Sequence, residues 1–149
     1  MSFDRELIEA KLALGLIPSE DMPTIAQDAL EAGLDGPGII RLAVLEHPTF
    51  FEVAEVLPKA KAEMALRDLS AGEAALRVAK SKAAEILESG VDPLLHIKDF
   101  EYLWIKADYP REIQSVGTLD DEVWVAESMG ETKSQTRKWV IERLRAPSA

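Results

Sequence analysis

The sequence predicts an all-α fold, a compact bundle or short right-handed array of about seven to nine short antiparallel helices. Three observations carry this reading. Alanine and leucine recur at helical spacing on single faces, glycine and proline punctuate the chain between those stripes, and β-branched runs are scarce. A length of 149 residues fits a single helical domain, 1–149, able to hold a core without metals or disulfides.

From Phe3 to Leu14 the apolar residues Leu7, Ile8 and Leu12 share a helical face that ends at Gly15. Pro18-Ser19-Glu20-Asp21 is a turn and cap region. Met22, Ile25, Ala26, Ala29 and Leu30 form the next stripe, stopped by Gly33. Gly36-Pro37-Gly38 opens a short helix with Ile39, Leu42 and Ala43 inward, and His47-Pro48 closes it. Thr49 caps a helix with Phe50, Val53, Ala54 and Leu57 on one face. Pro58 falls inside that pattern, and an interior proline costs about 3 kcal/mol. A kink or two abutting helices is therefore expected between Thr49 and Leu69.

Ser70-Ala71-Gly72-Glu73 is expected to be a capping box before the stripe Leu76, Ala79, Ala83, Ile86 and Leu87, with Gly90 as the stop. Asp92-Pro93 reads as the cap and first residue of a helix carrying Leu94, Ile97, Trp104 and Ile105. Tyr109-Pro110 begins a short helical piece through Ile113. Thr118-x-x-Asp121 is a second box before Val123, Ala126 and Met129, stopped at Gly130. Val123 and Val125 alternate as a strand would, but the cap and the glycine favour helix. Ser134 opens a last helix with Val140, Ile141 and Leu144 inward. A fixed offset also relates Ala29-Leu30, Gly36, Arg41 and Ala43 to Ala65-Leu66, Gly72, Arg77 and Ala79; alanine- and leucine-rich composition accounts for it.

Composition removes several chemistries. There is no cysteine, which excludes disulfides, zinc–cysteine sites, iron–sulfur clusters and thiol catalysis and fits a cytoplasmic protein. The mixed charges of Asp4, Arg5 and Glu6 do not resemble a signal peptide, and no apolar run approaches the roughly 18 residues that span a bilayer. His47 and His96 sit in no metal-binding spacing, and a structural or solvated role is expected for both. Gly33-Leu34-Asp35-Gly36-Pro37-Gly38 precedes a helix as phosphate loops do, but no lysine follows and Asp35 opposes an anion. Turn chemistry accounts for its glycines. The same stretch mimics a helix-turn-helix through Ala29, Gly33, Ile39 and Leu42, yet its second helix offers only Arg41 to a phosphate or base. No calcium loop or catalytic triad spacing is present, and neither cofactor nor metal is expected.

The formal net charge is −10, which repels nucleic-acid phosphates and anionic lipid heads, attracts basic partners and favours solubility. The last helix reverses the sign. Lys133, Arg137, Lys138, Arg143 and Arg145 stand against Glu142 alone, an arrangement that suits a helix C-terminus or docking on the chain's own acids. The large aromatics fall late in the chain. Core packing explains some of them, but tyrosine and tryptophan are also enriched where proteins bind proteins. Trp104, Tyr109 and Trp124, with Asp108, Glu112, Asp120 and Asp121, are the candidate partner-binding residues.

The stretch from Pro23 through Ala26, Ala29-Leu30 and Gly33, followed by Leu42-Ala43, resembles a group of uncharacterised bacterial all-helical proteins. A second block, Gly90-Val91-Asp92-Pro93, matches their Gly-x-x-Asp-Pro pattern, and Tyr109-Pro110 and Leu119-Asp120-Asp121 follow in the same order. After Asp-Pro this chain has Leu94-Leu95-His96 where the group carries small and basic residues. The resemblance covers most of the chain and implies an all-α fold, with no activity or functional residue attached. Small acidic helical proteins of this kind look similar to immunity or partner proteins.

The expectation is a non-enzymatic protein that binds another protein, a basic one being favoured by the charge, without membrane contact and with nucleic acid disfavoured. Two alternatives stand beside it. One is a ligand-binding or enzymatic domain with a pocket between helices near His96, Tyr102 or Trp104; the other is a helix-turn-helix-like regulator.

Overall fold

Each apolar stripe of the sequence becomes a helix in the computed structural model, which describes residues 2–148, and no strand occurs among them. The fold is all-α. None of the helices is long and apolar enough to cross a membrane. The chain divides into two compact units, Met1–Leu69 and Ser70–Ala149.

The first unit contains α1 (Arg5–Ala13), α2 (Met22–Glu31), α3 (Pro37–Ala43) and α4 (Phe50–Glu63). Asp4 caps α1 by accepting the Leu7 N–H at 3.2 Å. Thr49 and Glu52 form a complete capping box at α4, each side chain accepting the other's backbone N–H. The core gathers around α3, which packs on both α2 and α4; Met22, Ala26, Ala29, Ile39, Leu42, Val53 and Met64 are buried there. α4 is one helix with Pro58, an exposed residue, inside it, and it ends at Glu63 rather than continuing as a second helix. Its inward stripe is Val53, Val56 and Ala60, so Phe50 and Ala54, expected inward, are exposed.

Two carboxylates close this unit. The Glu63 side chain, at the end of α4, accepts the N–H groups of Gly38 (3.2 Å) and Ile39 (2.9 Å) at the start of α3. Helix N-termini leave such donors unpaired, and an anion there also complements the dipole. The glycine-rich turn is thus filled by the chain's own carboxylate, which leaves no open phosphate cradle at this helix start. Gly38 lets α4 come close: a Cβ there would meet the Ala60 nitrogen at 2.9 Å. Glu9 is fully buried as a side chain; it accepts the Arg67 N–H at 2.6 Å and lies 3.7 Å from both the Arg5 and Arg67 guanidinium groups. It ties the segment after α4 to α1.

The second unit contains α5 (Ala71–Ser89), α6 (Ile97–Lys106), the single turn α7 (Gln114–Gly117), α8 (Leu119–Ser128) and α9 (Lys133–Arg145). α5 packs against α6, α9 and the turn Arg111–Ile113; α6 packs against α7 and α8, and α8 against α9. Ala75, Ala79, Ile97, Phe100, Leu103, Leu119, Val123, Val140 and Leu144 are buried. Ser70 accepts the Glu73 N–H, while the Glu73 carboxylate lies 3.6 Å from Arg77. The Glu112 carboxylate lies where a Cβ on Gly72 would be, in the first turn of α5.

Several local expectations are corrected here. Asp92 caps only a 3-10 turn, Pro93–Leu95, and α6 starts afresh at Ile97. Ile97 is buried as its spacing predicts and is joined by Phe100 and Leu103, while Ile105, expected on the same stripe, is exposed. The Thr118–Asp121 box does not form: the Thr118 side chain caps no backbone N–H, and its hydroxyl, a single donor, lies 2.7 Å from the Glu122 carboxylate and 3.0 Å from the Gln114 carbonyl. Met129 is 83% exposed, since α8 stops one residue earlier. α9 is opened by Thr132, which forms a complete box with Gln135, rather than by Ser134.

Two substitutions test this account with opposite signs. Alanine in a helix ordinarily gains about 0.5–1 kcal/mol over glycine, yet Gly38→Ala is expected to lower stability by about 1–3 kcal/mol through overpacking against Ala60. Ala65 holds a left-handed φ of 57° after α4. Ala65→Gly is expected to raise stability by about 1 kcal/mol. Urea unfolding of the full chain reads both.

Candidate functional site

α8 carries most of the surface chemistry. Asp120, Asp121 and Glu122 fill its first turn, where acids complement the helix dipole. Leu119 and Val123 bury its inner face. The outer faces carry Trp124 (71% exposed), Val125 and Met129. Trp124 follows Asp120 by four residues and Asp121 by three, so all three share one flank of the helix. Glu101 of α6 joins that flank: one carboxylate oxygen from each of Glu101, Asp120 and Asp121 lies within 4.8 Å of the others. Among the described residues no lysine or arginine forms an ion pair with these three. Such a cluster suits an ammonium or guanidinium group brought by a partner.

Beside this flank an open groove of about 1180 Å³ runs between α8 and α9. Val125, Ala126, Met129 and Trp139 give it apolar surface, and Asp121, Glu122, Glu131 and Glu142 give it acid. Its walls are fixed by side-chain bonds. Arg143 forks onto the Glu122 carboxylate (2.8 and 3.1 Å), donates to the Ser115 carbonyl (2.6 Å) and lies 5.5 Å from the centre of the Trp139 ring. The Trp139 indole N–H donates to Glu131 at 2.6 Å. Hydrogen bonding from Arg143 holds the Glu122 carboxyl below its ordinary value; partial burial opposes this, and the Thr118 hydroxyl adds to it.

The seven residues expected from sequence form two groups. Asp120, Asp121 and Trp124 stand together on α8 as described. Trp104 lies in the last turn of α6, Asp108 and Tyr109 follow that helix, and Glu112 lies in the turn Arg111–Ile113. The Trp104 indole N–H donates to the Pro110 carbonyl (3.1 Å), and its ring meets Tyr109 edge-on with centroids 5.0 Å apart. Trp104 also fills the space where a Cβ on Gly117 would be. Asp108 and Tyr109 hold left-handed φ values of 65° and 56°, and both are exposed. Trp104 and Glu112 therefore serve internal packing, while Asp108 and Tyr109 face solvent. Sequence reasoning missed Glu101, Val125, Met129 and the groove wall formed by Trp139. Only the short spacing from Val125 to Gly130 could have pointed outward, because a helix stopping there leaves its last apolar residue uncovered.

The other candidate chemistries do not converge. Tyr102 and Trp104 are two residues apart on α6 and so project to opposite sides of it. His96 lies 3.2 Å from Asp99, which also pairs with Lys82 at 3.3 Å. On α9, Arg137 pairs with Asp92, Lys133 with Glu127, Arg143 with Glu122 and Arg145 with Glu142. These pairs leave little free cation for phosphate. Comparison with protein-family models, with curated proteins and with solved structures finds no match to this chain.

The Glu122–Arg143 link has a pH signature. The carboxyl's folded pKa is depressed, so its stabilisation is present above the unfolded pKa and disappears as pH falls through the folded value. Both groups are partly exposed, so the effect is at most about 1 kcal/mol. Glu122→Gln is expected to unfold at lower urea than the parent at pH 7, with the two midpoints converging once the pH drops well below the ordinary carboxyl value of 4.5.

Proposed function

We propose that this chain is a non-enzymatic protein-interaction module, immunity- or adaptor-like, whose surface on α8 receives a basic protein partner. One observation carries the reading: Trp124 stands exposed on the same flank as Asp120 and Asp121, whose carboxylates, with that of Glu101, have no lysine or arginine partner among the described residues. A large exposed aromatic beside unneutralised charge has the composition of an interface anchor and its rim. The net charge of −10 supports the choice of partner, since it steers basic surfaces inward and repels phosphate backbones. The internal pairing of α9 supports it further by leaving that field without a competing cationic stripe. A cytoplasmic setting accords with the lack of cysteine.

The test is affinity capture on the immobilised full chain from the native host's lysate at low and high salt. A basic protein retained at low salt, released at high salt and lost from both Trp124→Ala and Asp120→Asn/Asp121→Asn would support the proposal. Retention of nothing, or retention indifferent to salt and to both variants, would overturn it.

A further inference from the structure

We infer that the groove between α8 and α9 seats an amphipathic helix of the partner, apolar along one face and cationic at its edge. The inference rests on the interaction reading above and names the element it would recognise. The groove lies between two helices, and no strand edge exists among the described residues to pair with an extended peptide. An intruding helix satisfies its own backbone and presents only side chains, which matches a groove of apolar surface. α8 is ten residues long, or roughly 15 Å, enough for two to three turns of a bound helix with apolar anchors at i, i+3 or i+4 and i+7.

The groove is built before any partner arrives. Arg143 spans from α9 to Glu122 of α8 and packs beside the Trp139 ring, while Glu131 holds the indole N–H of that ring. Binding then costs little ordering of the walls. Val125 and Met129 remain exposed within it, although burial of each would be favourable. Charge selects the occupant's edge. Asp121 both lines the groove and belongs to the unneutralised set with Asp120 and Glu101, so the acid lies at the end of the groove where α8 begins. Lys138 is a groove cation with no acid within ion-pair distance among the described residues, and Glu142, one turn further along α9, pairs with Arg145. With Glu142 neutralised by Arg145 and Glu122 by Arg143, an anionic helix would meet Asp121 and Glu131; a cationic one is attracted to them.

The probe is a synthetic peptide of about 14 residues, roughly four helical turns, made of leucine and lysine with the leucines on one face. Its controls are the same peptide with every lysine replaced by glutamate and a shuffled peptide with no apolar face. Titration into the full chain is followed by NMR at the Trp139 and Trp124 indole N–H signals and the Met129 methyl signal. The cationic helix is expected to shift Trp139 and Met129 saturably, with affinity falling as salt rises, while both controls leave them unmoved. Met129→Glu is expected to weaken binding about tenfold or more. Its urea midpoint should be unchanged, because Met129 is a surface residue.

Equal shifts from the anionic or shuffled peptide would overturn the inference, as would binding indifferent to Met129→Glu. Shifts confined to Trp124 and abolished by Trp124→Ala would also sink the groove, while leaving a basic partner on the outer flank of α8. Absence of any shift sinks the groove alone, since the capture experiment judges the broader reading independently.

Discussion

Short helices expose a large share of their backbone donors and acceptors, and the chain's acids do much of the work of closing them. Each helix end leaves about four groups without an intrahelical partner. The helices of this chain run from four to nineteen residues, so ends are a large fraction of the whole. Glu52 and Gln135 complete capping boxes within their own helices. Glu63 closes a terminus distant in sequence, accepting two donors of α3, and buried Glu9 satisfies the Arg67 N–H. Glu112 lies against Gly72 at the start of α5. A surplus of acid that looks like surface charge is therefore partly structural.

This dual use explains what the sequence discloses. Local devices are legible: Thr49-x-x-Glu52, the left-handed glycines at 15, 33, 90 and 130, and the alanine stripe of α5 all follow from spacing a few residues long. Phase is less legible. An expectation that starts α6 at Pro93 places Ile105 inward beside Trp104, because the 3-10 turn Pro93–Leu95 and the restart at Ile97 leave no mark in an apolar pattern; Trp104 does pack inside, against Gly117, and Ile105 is exposed. Thr132-x-x-Gln135 differs again, since its box pattern is present in the sequence while Ser134 stands closer to the apolar stripe of α9. Pro58 shows the reverse case, in which tertiary packing of Val53, Val56 and Ala60 keeps α4 whole despite a strong local penalty.

The site is legible in composition and illegible in assignment. Late aromatics and acids mark the region, and three of the seven expected residues do stand together on α8. Trp104 and Glu112 look no different in sequence from Trp124 and Asp121. What separates them is a tertiary contact: Trp104 lies against Gly117, and Glu112 against Gly72, forty positions away in the chain. Glu101 enters the candidate surface for the same reason, since only the packing of α6 on α8 brings it to Asp120 and Asp121. Such pairings carry no periodic signal.

The same accounting links the basic last helix to the acidic surface. Arg137, Lys133 and Arg143 are each matched to an acid of the second unit, and every such pair cancels one charge of each sign. Pairing therefore leaves the net charge untouched and concentrates it on acids that have no mate. On α6 and α8 these are Glu101, Asp120 and Asp121, beside the apolar side chains of Trp124, Val125 and Met129. Charge of this kind acts over roughly a Debye length, about 8–10 Å at physiological salt, and so governs approach and orientation. Apolar contact acts only on touching and governs how long a partner stays. The two properties lie on adjacent flanks of one helix, so under the proposed interaction a basic partner drawn by the acids would arrive already facing the groove.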